Sequence, residues 1–190
     1  MCIVAFVSGK DDPGGTDMKK IVSRLMLVMV ITMMLVGMTP VMASAKTVKL
    51  KAAAFTTSTA TAEAVARPVG RGKMTVSVPK KGSGYLKFVA PASKVYSFTF
   101  SNIRSGRYNC GHTYLMTTYG RDNASITMNK VGTQGGESSS LYIATKNSKY
   151  GEKAYRYLKK RTGNIFLQQG QTVYIFISMV RKCTLQLKIK

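Results

Sequence analysis

Short runs in the C-terminal two thirds of the chain alternate between apolar and polar residues. In VYSFTF, Tyr96, Phe98 and Phe100 fall on one side of an extended backbone. The polar residues between them fall on the other side. The final run, CTLQLKI, repeats this period of two. Such alternation predicts antiparallel strands that pack one face against a core and turn the other face to water.

Turn-forming residues separate these runs at short intervals. Gly, Asn, Asp and Ser fill most of the gaps, and there is little sustained helical periodicity. Strands at this spacing are typical of an all-β antiparallel sandwich or barrel. The predicted strands are MTVSV (74–78), LKFVA (86–90), VYSFTF (95–100), TYLMTTY (113–119), ASITM (124–128), SLYIAT (140–145), NIFLQQ (164–169), TVYIFISMV (172–180) and CTLQLKI (183–189).

Residues 46–72 precede the strands and differ from them in composition. TTSTATAEAVA is low in complexity, and an Arg-Pro pair and two glycines follow it. This composition predicts a flexible tether or a loosely attached N-terminal segment. TVKLK (47–51) alternates, however, and could pair with the edge of a sheet. We assign 46–72 to this segment and 73–190 to the sandwich domain.

The first 45 residues predict a secretion signal. Three basic residues follow Met18, an uncharged and mostly apolar run of 14 residues spans 25–38, and the small residues ASA end the pattern at 43–45. A membrane anchor is the alternative, but roughly 18 to 20 apolar residues are needed to cross a bilayer. We therefore expect a start at Met18, cleavage after Ala45, and a secreted product without a membrane span. Residues 1–17 fit no targeting pattern.

The chain is strongly basic. Its 29 Lys and Arg and 7 Asp and Glu give a net charge of +22. The predicted leader holds four of the basic and three of the acidic residues, so residues 46–190 keep a charge of +21. Such a charge favours adhesion to an anionic cell-surface polymer, an acidic glycan or extracellular DNA, with retention at the cell wall by charge. The leader argues against binding of intracellular nucleic acid.

A different class of function remains open beside this non-catalytic binding or adhesion module. The chain can instead be a secreted partner, inhibitor or accessory protein of an extracellular enzyme. Such a protein would bind one specific protein through a shaped patch, with a modest dependence on salt. A steep salt dependence distinguishes adhesion to a polymer from this alternative.

The densest basic run is KNSKYGEKAYRYLKKR, residues 146–161. Basic side chains and tyrosines interleave there, and this combination can bind an anionic polymer through charge and ring stacking. An ordinary solvated face of a protein that is basic throughout is the alternative. The candidate binding residues are Lys146, Lys149, Lys153, Tyr155, Arg156, Tyr157, Lys159, Lys160 and Arg161.

The sequence offers little for catalysis. Cys110 and His112 would share one side of a strand, as a thiol–imidazole pair requires, but no third group is present to orient them. One histidine and scattered acids do not form a zinc or calcium ligand set. We therefore predict no catalytic residues, no metal and no cofactor. Cys110 and Cys183 are either a disulfide of an exported protein or two small buried hydrophobes, and the sequence favours neither.

GYLKFVAPASKVYSFTFSN, residues 84–102, resembles the signature hairpin of bacterial pre-peptidase C-terminal-like domains. In that family an aromatic strand ends in F-x-A-P, and the next strand has the pattern x-Y-x-F. These positions hold Phe88, Ala90, Pro91, Tyr96 and Phe98.

The end of the chain is also similar to this family. FLQQGQTVYIFIS followed by CTLQLKI matches its closing pattern, with Leu167, Gly170, Tyr174, Leu185 and Ile189 in place. The resemblance covers residues 74–190 loosely and implies a jelly-roll-like sandwich, of the kind attached to secreted enzymes as an auxiliary or binding module. We expect no catalytic domain beside it here. The acidic clusters of the calcium-binding relatives are missing from this sequence, so calcium is not implied.

Overall fold

The protein folds as a β-sandwich, as predicted. The computed structural model describes residues 46–80, 82–145 and 158–190. In these residues one sheet, sheet A, has seven strands, in the order β1 (Thr47–Lys49), β3 (Gly72–Val78), β13 (Cys183–Ile189), β5 (Lys94–Arg104), β11 (Lys160–Leu167), β8 (Val131–Thr133) and β9 (Gly136–Ser138).

The second sheet, sheet B, packs against sheet A. Its described strands are, in order, β10 (Leu141–Ala144), β6 (Cys110–Tyr119), β12 (Thr172–Met179), β4 (Ser83–Val89) and β2 (Arg67–Val69), with β7 (Ser125–Met128) also paired to β6. Most pairs are antiparallel, but β1 pairs with β3 and β2 pairs with β4 in parallel. All nine predicted strands overlap observed ones.

Apolar side chains on the facing sides of the two sheets form the main core. Leu86 and Phe88 of sheet B are buried against Phe98, Phe100 and Leu187 of sheet A. Burial of one such side chain contributes about 1.5–3 kcal/mol to stability. The alternation seen in the sequence therefore sets which side of each strand faces the other sheet.

The chain turns a corner between the sheets at Pro91, and the expected hairpin at this point is wrong. β4 pairs within sheet B, whereas the next strand, β5, pairs within sheet A. The Tyr96 hydroxyl donates to the Ala92 carbonyl (2.9 Å) and accepts from the Ala92 N–H (3.2 Å), which fastens the corner. The Phe88 and Phe98 rings meet edge to face at 5.6 Å across the core, so their strands must lie in opposite sheets.

Residues 46–72 belong to the sandwich instead of forming a tether. β1 and β2 extend one edge of each sheet, so TVKLK does pair with a sheet edge. A short helix, α1 (Thr59–Val65), lies between them over the outer face of sheet B. Val48, Leu50 and Ala62 are buried, and their burial holds a segment whose composition alone suggests flexibility.

A smaller apolar cluster joins α1 to the outer face of sheet B. Its buried members are Ala62, Tyr85, Met116, Ile126, Tyr174 and Phe176. At its rim the Glu63 carboxylate accepts from the Lys87 ammonium (2.5 Å) and from the Tyr174 hydroxyl (2.6 Å). These hydrogen bonds hold the pKa of Glu63 below its usual value. Burial, together with the hydrogen bond to Glu63, raises the pKa of Tyr174.

Residues 1–45, in which the signal is predicted, lie outside the described residues. In the part of the chain that the structure describes, no helix has the length and apolar character needed to cross a bilayer.

The Glu63 contacts predict a specific loss of stability in acid. Because the pKa of Glu63 is lowered by folding, its contribution is present above the ordinary value of 4.5 and is lost as the pH falls through the folded pKa. We expect Glu63→Gln to lower stability by about 0.5–1 kcal/mol at pH 7, since solvent screens this partly exposed pair. Below pH 4.5 the difference in Tm from the native protein should shrink.

Thermal unfolding followed by circular dichroism from pH 7 to pH 3 measures this effect. Glu137→Gln, at an exposed acid of β9, is the matched control and should leave the pH profile of the native protein unchanged. A Glu63→Gln profile parallel to that of the native protein would contradict the prediction.

Candidate anion-binding cleft

The structure describes three of the nine predicted binding residues. Lys159 and Lys160 are exposed, and Arg161 is half-buried. Lys160 and Arg161 line a cleft of about 500 Å³ with the turn between β8 and β9. The other six lie outside the described residues, so their part in binding stays a prediction. They are Lys146, Lys149, Lys153, Tyr155, Arg156 and Tyr157.

Four further basic side chains meet at one end of the sandwich. Lys80 comes from the loop between β3 and β4, Arg107 from the loop between β5 and β6, and Arg181 and Lys182 from the turn between β12 and β13. They line one cleft of about 550 Å³, which we call the basic cleft. Its other lining residues are Ser105, Gly106 and Val180.

A buried asparagine fastens two of these loops together. The Asn109 side-chain amide donates to the Arg181 carbonyl (2.8 Å), and its oxygen accepts from the Arg181 N–H (3.0 Å). The Asn109 backbone N–H donates to the Thr145 hydroxyl (3.0 Å). Asn109 is fully buried, where an unpaired amide would be costly. The loop that carries Arg107 and the turn that carries Arg181 therefore keep a defined separation.

Gly82 allows the third loop to approach the other two. Its φ of +78° lies in the left-handed region, and a Cβ at this position would collide with the Met179 carbonyl oxygen. The Gly82 N–H donates to the Pro79 carbonyl (2.9 Å) and closes the turn that presents Lys80. Glycine is thus required for Lys80 to lie beside the end of β12.

None of the described residues that line the basic cleft is acidic. Across the described ranges the one ion pair joins Lys87 to Glu63 on the outer face of sheet B. At physiological ionic strength the Debye length is about 8 Å, so more distant acids are screened, whereas like charges within one cleft reinforce each other. Such a cleft attracts anions, and arginine can bind carboxylate or phosphate through two hydrogen bonds.

Cys110 and Cys183 are free thiols, and both are buried. Cys110 lies in sheet B, where its sulfur accepts a hydrogen bond from the Tyr108 hydroxyl (2.9 Å), and Cys183 opens β13 in sheet A. Burial raises the pKa of Cys183 to about 11, so this thiol is protonated at neutral pH and poorly nucleophilic.

His112 contacts other groups instead of pairing with Cys110. Its Nδ1 lies 3.4 Å from the Ser140 hydroxyl, and its ring packs beside Tyr114 and Tyr142. Within the described ranges no group of three His, Cys, Asp or Glu side chains is placed to hold a metal ion.

No family model matches this chain, and no curated protein is significantly similar to it. The resemblance to pre-peptidase C-terminal-like domains therefore rests on the quoted motifs. By its fold and its candidate site, the protein is a β-sandwich with a basic cleft formed by loops at one end.

Nothing in the sequence alone brings the residues of the basic cleft together. The three connections carry the short motifs PKKG, RSGR and VRKC, each with basic residues in a turn. The basic residues in these three turns are the signal in the sequence that could have indicated the cleft. Their convergence depends on sheet membership and on Asn109, which has no recognisable motif of its own.

We expect Asn109→Ala to lower the free energy of unfolding by about 1–3 kcal/mol, because two hydrogen bonds to the Arg181 backbone are lost from a buried position. Urea unfolding measures the change. Asn164→Ala is the matched control: Asn164 is exposed and accepts one hydrogen bond, from Ser97, so its loss should cost less than about 0.5 kcal/mol. Equal losses in the two variants would contradict the role given to Asn109.

The thiols give a second prediction. In native protein from which the predicted signal has been removed, Cys110 and Cys183 should resist alkylation at pH 8, because both are buried. In denaturant without reductant both should react, which mass spectrometry detects as two added groups. A mass with no added groups under these conditions would show a disulfide and contradict the free thiols.

Proposed function

We propose that this chain is an exported, non-catalytic binding module that adheres to anionic polymers outside the cell, through the basic cleft. The observation that carries the proposal is the convergence of Lys80, Arg107, Arg181 and Lys182, with no acidic residue among the described residues of the lining. A polymer with repeated anionic groups can meet several of these charges at once and release counterions on binding. Acidic cell wall and acidic glycans have this character.

The described residues of the predicted basic stretch also point to this end of the sandwich as the binding surface. β11 pairs antiparallel with β5, and Lys160 lies opposite Ser101. The strand β5 then ends at Arg104, directly before the loop that carries Arg107. The described end of the stretch therefore lies at the same end of the molecule as the basic cleft.

Adhesion to isolated anionic cell walls across a salt series tests the proposal. We expect retention at low salt and release by a few hundred millimolar salt, as counterion release requires. The triple variant Arg107→Gln, Arg181→Gln and Lys182→Gln should bind about 100-fold more weakly, since each basic contact with an anionic surface contributes about 1 kcal/mol. The Arg181 backbone bonds to Asn109 are kept in this variant.

A second triple variant controls for net charge. Lys49→Gln, Lys73→Gln and Lys188→Gln remove the same three charges from exposed positions of sheet A. This variant should lose less than about threefold in affinity. Equal weakening of both triples would assign binding to total charge instead of the cleft. Absence of retention at low salt would overturn the proposal and favour a specific protein partner.

A further inference from the structure

Four partly exposed rings stand side by side on the outer face of sheet B. They are Tyr142 of β10, His112 and Tyr114 of β6, and Phe55 of the segment before α1, and we call them the aromatic row. The ring centroids are 4.7 Å apart from Tyr142 to His112, 6.0 Å from His112 to Tyr114, and 6.3 Å from Tyr114 to Phe55. None of these contacts belongs to the basic cleft.

The aromatic row is held in place by the sheet beneath it. His112 lies directly between Ser178 of β12 and Tyr142 of β10 in the strand register. The buried ring of Phe176 contacts Phe55 at 5.4 Å and Tyr114 at 6.2 Å. Rings that are already fixed lose little conformational entropy when a ligand covers them.

Hydroxyl groups lie among these rings. The Ser140 hydroxyl is 3.4 Å from His112 Nδ1, and Ser178 of β12 lies directly beside His112 in the strand register. A surface of rings bordered by hydroxyls matches an amphipathic ligand. A pyranose has an apolar ring face that can stack on an aromatic side chain and hydroxyls that can hydrogen-bond at its edge. Rings on neighbouring strands are spaced like successive sugars of a glycan.

The aromatic row leads directly to the basic cleft. β12 ends at Met179, one residue beyond Ser178, and Arg181 follows in the next turn, so at most about 10 Å of chain separates Ser178 from Arg181. On the neighbouring strand, His112 lies three residues beyond Asn109, which binds the Arg181 backbone. Glu63, an acid on this face, is neutralised by Lys87. One polymer can therefore cover rings and charges together.

We infer that the ligand of this module is an acidic glycan whose sugar rings stack on the aromatic row and whose anionic groups enter the basic cleft. The inference rests on the proposed function and adds to it a second subsite and the class of polymer. Charge alone does not distinguish a glycan from other polyanions. The aromatic row distinguishes polyanions that carry rings able to stack from those, such as polyphosphate, that carry none.

Four probes separate the contributions of ring and charge. Polygalacturonate carries both sugar rings and carboxylates, polyphosphate carries charge without rings, dextran carries rings without charge, and oligo(dT) carries bases and phosphates. At low salt we expect polygalacturonate to bind most tightly. The double variant His112→Ala and Tyr142→Ala should weaken polygalacturonate binding about tenfold and change polyphosphate binding less than about twofold. The variant Arg107→Gln, Arg181→Gln and Lys182→Gln should weaken both.

A direct contact can be measured on the native protein. The chain has a single histidine, so the ring protons of His112 are recognised without further assignment. A short oligogalacturonate should give intermolecular nuclear Overhauser effects from its sugar C–H protons to these ring protons. Tyr119→Ala is the matched control, because Tyr119 is a 70 % exposed ring on the same strand but outside the aromatic row. Its affinity for polygalacturonate should equal that of the native protein.

The outcomes separate this inference from the proposed function. Equal binding of polygalacturonate and polyphosphate, with no contact to His112, would overturn the glycan inference and leave polyanion adhesion standing. Failure of every anionic probe at low salt would overturn both. Tighter binding of oligo(dT), with contacts from its bases to His112, would overturn the glycan in favour of single-stranded nucleic acid.

Discussion

The rest of the structure depends on the burial of alternate side chains between two facing sheets. Sheets packed in this way lie about 10 Å apart, so every connection from one sheet to the other must bridge that distance at an end of the sandwich. The three connections that form the basic cleft are all of this kind, since β3, β5 and β13 belong to sheet A while β4, β6 and β12 belong to sheet B. The packing of the core therefore brings Lys80, Arg107 and Arg181 to one place.

Neutral contacts hold this cationic end together. Like charges in one cleft repel, and no acid among the described lining residues offsets them. The loops are held instead by hydrogen bonds of the Asn109 amide and the Gly82 backbone, and by the packing of the buried apolar residues behind them. A salt bridge would have neutralised the arginines that it positioned. Because amide and backbone groups hold the loops, the guanidinium and ammonium groups stay available to an anion.

The strands could be predicted from the sequence because period-two alternation decides them locally. Tyr96, Phe98 and Phe100 face the core as expected. Alternation does not say which sheet a strand joins, so it could not correct the hairpin that the family resemblance implies at Pro91. β2, β8, β9 and α1 were missing from the prediction because they are short and lack large apolar residues at regular spacing. Tertiary burial of residues such as Ala62 decided their structure.

The two candidate subsites need different parts of the fold. Stacking requires rings at fixed separation, which neighbouring strands supply through His112 and Tyr142. Long cationic side chains adapt to irregular anionic groups, and loops present them. In the proposed glycan complex, charge would raise the rate of encounter and would weaken with salt. Stacking on the aromatic row would remain at higher salt, and it would discriminate among polyanions that the basic cleft by itself attracts equally.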